Sequence, residues 1–239
     1  MEFRAVVCKI QRSTYRHYSE FEDCKDVMQF RLTYEGELKP TGNNTRNSSH
    51  KHEIRRAFHP QLKALWETNI NLRSLAETPL GLYRDPFPIK INKTEDPDTR
   101  SLLQYISDNY PLEDYRFVPL VTREMSLWCG LDILFLRPTV PGNILSGGDI
   151  DNRIKTLFDA LKRPSQLSDL GPSYMPPSPS ENPFFVLLED DSLVAKLAVE
   201  TDTMLEPIVG GIPRDTDARL VITVTVRPII STVFNMSLT

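Results

Sequence analysis

Alternating apolar and polar positions mark several strands along the chain. In VMQFRLTYEG, residues 27 to 36, every second residue from Met28 is apolar, which predicts a strand with one buried face. The run MSLWCGLDILFLRP, 125 to 138, has the β-branched and aromatic content of a central strand and stops at Pro138. FFVLLEDDSLVAKLAVET, 184 to 201, and ARLVITVTVRP, 218 to 228, predict the remaining strands.

Two segments have the spacing of amphipathic helices. Ser49 with Glu53 favours a helix start, and the helix is predicted to run to about Ile70. Its apolar stripe consists of Ile54, Phe58, Leu62 and Leu65. A second helix is predicted from Asp151 to Lys162. Ile150, Ile154, Leu157, Phe158 and Leu161 form its apolar stripe, and Asp151, Lys155, Asp159 and Lys162 line the ridge beside it.

The elements follow one another in the order βαβαββ. This order predicts an α+β fold with helices on one mixed sheet. Recurring prolines predict long loops from about 71 to 120 around one short helix near 102 to 106, and a Pro/Ser-rich mobile loop over 165 to 183. We therefore expect an N-terminal extension, 1–26, and one domain, 27–239, with insertions at about 71–120 and 164–184.

Composition limits the classes of protein and the location. The 239 residues are 40 % hydrophobic, which is enough for a substantial core, and the net charge of -4 means that nucleic acid would have to bind to a local patch. No run approaches the roughly 18 apolar residues of a membrane helix. Three unpaired cysteines and a polar amino terminus lead us to expect an intracellular, reducing location such as the cytoplasm.

Two acidic clusters carry the candidate chemistry. Asp149 and Asp151 stand behind two glycines at the start of the second helix, and Glu189, Asp190 and Asp191 lie between two predicted strands. Helix capping and i,i+4 ion pairs explain one acid of the first cluster, but not both clusters. If the clusters converge, their repulsion calls for a hard cation such as Mg²⁺, which can activate water against a phosphodiester. Lys155 would then meet the negative charge of the phosphate.

Other acidic motifs fit less well. An EF-hand loop needs an oxygen ligand and a glycine where this chain has Arg153 and Ile154. A phosphatase of the haloacid-dehalogenase type would carry its Asp-x-Asp motif early, after the first strand, and here the motif lies past the middle of the chain. An Asp-x-Asp metal-dependent sugar-nucleotide transferase remains an open alternative.

The ordered set DIDNRIKTLFDAL, then LEDDSLV, then a terminal alternating strand resembles the RusA family of Holliday-junction resolvases. The resemblance covers 126 to 227, and more loosely 27 to 70. It implies a RusA-like βαβαββ core and a homodimer that uses Mg²⁺ or Mn²⁺ to place paired nicks across a four-way DNA junction. It also implies catalytic roles for Asp149, Asp151, Asp191 and Lys155, with Asp190 as a further metal ligand. A phage or prophage origin and a role in DNA recombination or repair are implied in the same way.

A basic stretch of the first helix, 43 to 63, is the predicted DNA contact. Its cations are Arg46, Lys51, Arg55, Arg56 and Lys63, and Lys162 of the second helix joins them. A solvated helix face explains the same composition equally well. His50 and His52 lack a third ligand at zinc spacing and are interpreted as phosphate contacts. A non-catalytic DNA-binding or assembly protein on the same fold is the second functional hypothesis.

Overall fold

A computed structural model describes residues 28–41, 44–80, 99–138, 149–172, 174–208, 214–232, 235 and 238. The predicted extension 1–26, most of the middle of the predicted 71–120 insertion, and the glycines before the second helix lie outside these residues. No helix in the ranges given is both long and apolar enough to cross a membrane. The architecture is α+β, as predicted.

The main sheet is mixed and has four strands. These are β1 (Met28–Glu37), β4 (Leu127–Arg137), β6 (Val194–Thr203) and β7 (Asp217–Pro228), in the order β1-β7-β4-β6. β7 runs antiparallel to both β1 and β4, and β4 runs parallel to β6. Strict alternation in β7 buries every second residue from Ala218 to Val226. The four strands confirm the prediction from alternating positions.

A second sheet was not predicted. It contains β2 (Pro111–Leu112), β3 (Tyr115–Val121) and β5 (Phe184–Leu188), and β3 pairs with β5 in parallel. Recurring prolines had predicted long loops over 71 to 120. For β2 and β3, which lie in that range, the prediction was wrong. Among the described residues, β2 pairs with Tyr115 and Arg116 of β3, and the Tyr110 carbonyl oxygen accepts from the Phe117 backbone N–H. Pro119 lies beyond these contacts, where a missing N–H donor is tolerated within the strand.

Helices cover the sheets and supply much of the core. They are α1 (Asn44–Thr68), α2 (Ile70–Glu77), α3 (Leu102–Asn109) and α4 (Asp149–Leu161). α1 starts earlier than predicted, and three residues of its predicted stripe, Ile54, Phe58 and Leu62, are almost completely buried. α4 has close to the predicted bounds, with Leu157 and Leu161 in the core.

The Pro/Ser-rich segment after α4 is fastened to α1. Its cis Asn182-Pro183 bond precedes β5, and it contains two short 3-10 helices, Leu167–Leu170 and Pro179–Glu181. Arg56 of α1 forms an ion pair with Glu181 at 2.8 Å. Gly171, with a φ of +100°, lies directly against the backbone of Ser49. The segment predicted as a mobile loop, residues 165–183, therefore packs against α1, and we call its described residues the strap.

Candidate functional site

The start of α4 carries the first acidic cluster. Asp149 is the first residue of the helix, and its side chain lies outside the described part of the chain. Asp151 is exposed in the first turn, where its carboxylate lies 3.3 Å from the Lys155 ammonium group. Thr41 fixes this end of the helix, because its backbone N–H and its hydroxyl both donate to the carbonyl oxygen of Asn152.

The second cluster lies in the short connection between β5 and β6. Asp190 caps a single 3-10 turn, Asp191–Leu193, by accepting hydrogen bonds from the backbone N–H and the hydroxyl of Ser192. These bonds, and the nearby Arg123 guanidinium, hold the pKa of Asp190 below its usual range. Asp191 instead pairs with Lys162, whose ammonium group is 3.0 Å away.

One cleft, of about 770 Å³, joins the two clusters. It lies between α4 and β6, and Asp151, Lys155, Asp159 and Asp191 supply its charged side chains. Apolar side chains form most of its remaining wall: Ile150, Ile154, Phe158, Leu197 and Val199. Two acidic segments far apart in the sequence therefore open onto the same space.

Asp151 and Asp191 nevertheless lie toward opposite ends of this cleft. With a rise of about 1.5 Å per residue, the backbones of Asp151 and Asp159 are about 12 Å apart along α4. Asp191 belongs to the Asp159 end, because the Lys162 ammonium group lies 3.1 Å from Asp159 and 3.0 Å from Asp191. The acids that the structure brings together are therefore Asp159 and Asp191.

Alternating charges connect this end of the cleft to α1. Lys51 of α1 lies 2.7 Å from Asp159, which Lys162 in turn links to Asp191. Burial alone would raise the pKa of Asp159, but hydrogen bonds from Lys51 and Lys162 outweigh it and lower that pKa. Burial would lower the pKa of Lys162, and the carboxylates of Asp191 and Asp159 raise it instead. Asp159 and Lys162 are therefore both charged at neutral pH.

The predicted Mg²⁺ ligands whose side chains are described all have basic partners. Asp151 pairs with Lys155, Asp190 with Arg123 and Asp191 with Lys162. The side chain of the fourth predicted ligand, Asp149, lies outside the described residues. Among the residues that can be described, no group of three or more histidine, cysteine or acidic side chains is arranged to hold a metal.

The predicted DNA-contacting patch is largely internal. Lys51 and Arg55 are buried, and Arg55 donates to the carbonyl oxygens of Asp159 and Lys162 at the carboxyl end of α4. Arg56 is bound to Glu181, and Lys63 is half-buried. The side chain of Arg46 lies outside the described residues. Most of these cations fasten α1 to α4 and to the strap, because their partners lie on those segments.

The histidines of α1 also have structural partners. His52 lies between Arg55 and the Tyr115 hydroxyl, and burial is the main reason that its pKa falls to about 3. His59 accepts from the Phe185 backbone N–H and, in the matching tautomer, donates to the Ser180 carbonyl oxygen. His50 and His52 were predicted to contact phosphate. That prediction was wrong, because both rings are buried.

The sequence pattern had placed Asp159 only on a helix ridge, in an i,i+4 pair with Lys155. Its observed partners are Lys51 and Lys162, one of which comes from a distant helix. The i,i+3 spacing of Asp159 and Lys162 was the available signal for part of this network. No local pattern could have indicated the contact with Lys51.

Fold and site together define an α+β protein with an acidic, lysine-paired cleft between a helix and the edge strand of a mixed sheet. Comparison with protein-family models, with curated proteins and with solved structures gives no match.

Proposed function

We propose that the chain is a structure-selective endodeoxyribonuclease of the RusA type, which resolves four-way DNA junctions by paired nicks with Mg²⁺ or Mn²⁺. The observation that carries the proposal is the single cleft shared by Asp151, Lys155 and Asp191. These are three of the four side chains to which the resemblance gives catalytic roles, and the fourth, Asp149, begins the same helix.

Each side chain has a distinct part in this proposal. Lys155 is well exposed, so its ammonium group can contact a DNA phosphate at the cost of only a weak surface pair with Asp151. Asp190 is held by Ser192 and Arg123, and this fixes the backbone from which Asp191 projects. A bound divalent ion would supply electrostatic stabilisation of the phosphate.

Paired nicks require two active sites in a fixed relation. A two-fold symmetric homodimer supplies them, and branched DNA with two-fold symmetry is its matching substrate. We therefore propose that the protein acts as a homodimer. Light scattering of the purified protein, with and without a four-way junction, tests this part directly.

Cleavage of a labelled four-way junction, next to a linear duplex of the same sequence, tests the activity. The reactions contain Mg²⁺, Mn²⁺ or EDTA, and the variant is Asp151→Asn. Asp108→Asn is the matched control, because Asp108 is a similarly exposed, arginine-paired aspartate on α3. We expect paired nicks in the junction alone, lost in EDTA and in Asp151→Asn and retained in Asp108→Asn.

The other outcomes separate the alternatives. Metal-dependent cutting of every substrate would retain the nuclease and remove junction selectivity. Cutting that is unchanged in Asp151→Asn would remove the assigned site. Absence of cutting, with tight and selective junction binding, would favour a non-catalytic DNA-binding or assembly protein.

The second candidate is a non-catalytic DNA-binding or assembly protein on the same fold. One observation favours it: Asp151, Asp159, Asp190 and Asp191 all have basic side-chain partners. Lysines and an arginine thus supply the neutralisation that a metal centre would otherwise provide. In that case junction binding would be the same in Mg²⁺ and in EDTA at constant ionic strength.

A further inference from the structure

A second hollow adjoins the acidic cleft and has the opposite charge. It has a volume of about 270 Å³ and lies where α1, the end of α4 and the strap meet. Its cations are Lys51, Arg55, Lys162 and Arg163, and its two carboxylates are those of Asp159 and Asp169. Asp191 does not line the hollow but pairs with Lys162, so four cations face three carboxylates and leave an excess of one positive charge around a small space.

The two carboxylates are already committed elsewhere. Asp159 accepts from Lys51 and from Lys162. Asp169 accepts hydrogen bonds from the backbone N–H groups of Ser165 and Gln166, and from the Ser165 hydroxyl. Neither acid makes a direct ion pair with an arginine of the hollow in the part of the chain described here.

Among the described residues, neither arginine has an anionic partner within ion-pair distance. Arg55 is buried, and its guanidinium group forms hydrogen bonds with two carbonyl oxygens and a histidine ring nitrogen. Arg163 lies with its guanidinium 4.8 Å from the centre of the Tyr110 ring, and its Nε atom is buried with no hydrogen-bond partner. Desolvation of an arginine without a counterion is costly, and burial lowers the pKa of Arg55 to about 10.

We propose that this hollow, formed by Lys51, Arg55, Lys162 and Arg163, is a binding pocket for a single phosphate group. A guanidinium presents several donors in a fixed plane and matches phosphate oxygens, while lysines add point charge. A phosphate monoester carries about 1.5 to 2 negative charges at neutral pH and complements the positive excess of the hollow. The hollow is below the roughly 300 to 1,000 Å³ of pockets that enclose a whole drug-sized ligand.

Serine and glutamine side chains complete the wall. Ser165, Gln166 and Ser168 line the hollow on the strap side, and the Ser165 hydroxyl donates to Asp169. Ser168 belongs to the strap and is exposed. It is therefore a position where a charge can be added without disturbing the core.

The same phosphate chemistry could come from a free or terminal phosphate or from the backbone diester of DNA. The link to DNA rests on the proposed nuclease function, whereas phosphate binding itself does not. Calorimetric titration in a phosphate-free buffer uses three probes: inorganic phosphate, thymidine 5′-monophosphate and a thymidine dinucleoside phosphodiester. Binding of the first two alone would indicate a free or terminal phosphate, and binding of the diester a polynucleotide backbone.

We expect saturable binding of at least one probe, weakened tenfold or more by Arg163→Gln and by Ser168→Asp. Arg163→Gln removes a cation that has no anionic partner among the described residues. Ser168→Asp places a negative charge at the exposed edge of the hollow. Arg73→Gln and Ser74→Asp are the matched controls, because they make the same changes at exposed positions of α2. The controls should bind as the parent does, and circular dichroism verifies that all four variants are folded.

Absence of saturable binding for all three probes would overturn the proposal, as would unchanged affinity in a folded Ser168→Asp protein. Asp151→Asn separates this pocket from the nuclease proposal, since Asp151 does not line the hollow. That variant should lose cleavage and keep phosphate binding. Phosphate binding by a protein that cuts no DNA would leave the pocket standing and remove the nuclease.

Discussion

The ammonium group of Lys162 lies 3.0 Å from the carboxylate of Asp191 and connects the end of α4 to the turn that begins β6. The sequence predicted different roles for the two residues. Lys162 was expected to contact DNA, and Asp191 was expected to bind metal. In the structure they neutralise each other. A ligand that binds to either residue therefore competes with the charge of the other.

Replacing Lys162 should therefore have a small effect on stability. Both partners are partly exposed, so we expect Lys162→Gln to lower the free energy of unfolding by about 1 kcal/mol or less. A double-mutant cycle with Asp191→Asn, followed by urea unfolding, measures the pair itself. A coupling energy well above 1 kcal/mol would contradict this expectation.

The buried His52 predicts a specific dependence of stability on pH. Its pKa falls from 6.5 to about 3 on folding, so between these values the unfolded chain binds a proton that the folded chain does not. Stability from this residue is complete above about pH 6.5 and is lost as the pH falls toward 3, with a limiting slope of about 1.4 kcal/mol per pH unit.

We expect His52→Gln to have a shallower loss of stability between pH 6 and 4 than the parent. His50 and His59 also have lowered pKa values and will keep part of the slope in both proteins. Chemical unfolding at a series of pH values gives the comparison. Above about pH 7.5 the two curves should run parallel, and equal slopes at low pH would contradict the burial of a neutral ring.

The strap should be sensitive to one added methyl group. At Gly171 a Cβ atom would overlap the Ser49 hydroxyl and lie 2.9 Å from the Ser49 Cα, at a φ that disfavours other residues. We expect Gly171→Ala to cost about 2 kcal/mol or more in thermal or urea unfolding.

Gly130→Ala is the matched control for that change. There the nearest atom to an added Cβ is the Lys196 Cβ, at 3.4 Å, and the backbone has no positive φ. A loss well below that of Gly171→Ala is expected. Similar losses in the two variants would contradict close contact between the strap and α1.

Arg55 should matter for the stability of the fold in addition to its place in the hollow. Arg55→Met removes the donors to two partly buried carbonyl oxygens at the end of α4, for an expected cost of about 3 kcal/mol. Arg73→Met, at an exposed position of α2, should cost almost nothing. Calorimetric unfolding measures both, and equal stabilities would contradict the capping role.

The strands and helices that alternate cleanly could be predicted from the sequence, because a buried face leaves a direct trace in the order of residues. β7 and the stripe of α1 are the clearest cases. β3 could not be predicted, since Pro119 is a signal against a strand and is tolerated because it lies beyond the described backbone contacts on that edge of β3.

The candidate site was predicted in part. The two acidic segments were recognisable, but their distances depend on where α4 ends relative to β6, and no local pattern contains that information. The basic stretch of α1 misled for a related reason. Composition shows that Lys51 and Arg55 are cationic, but not that carboxylate and carbonyl partners from α4 would bury them.

Asp159 lines both the acidic cleft and the basic hollow, so one carboxylate forms a shared wall between two spaces of opposite character. A ligand in the hollow that drew Lys51 or Lys162 toward itself would leave the negative charge of Asp159 less neutralised on the side of the cleft. Anion occupancy of the hollow would thereby strengthen cation attraction in the cleft, and the reverse would hold to the same extent by thermodynamic linkage.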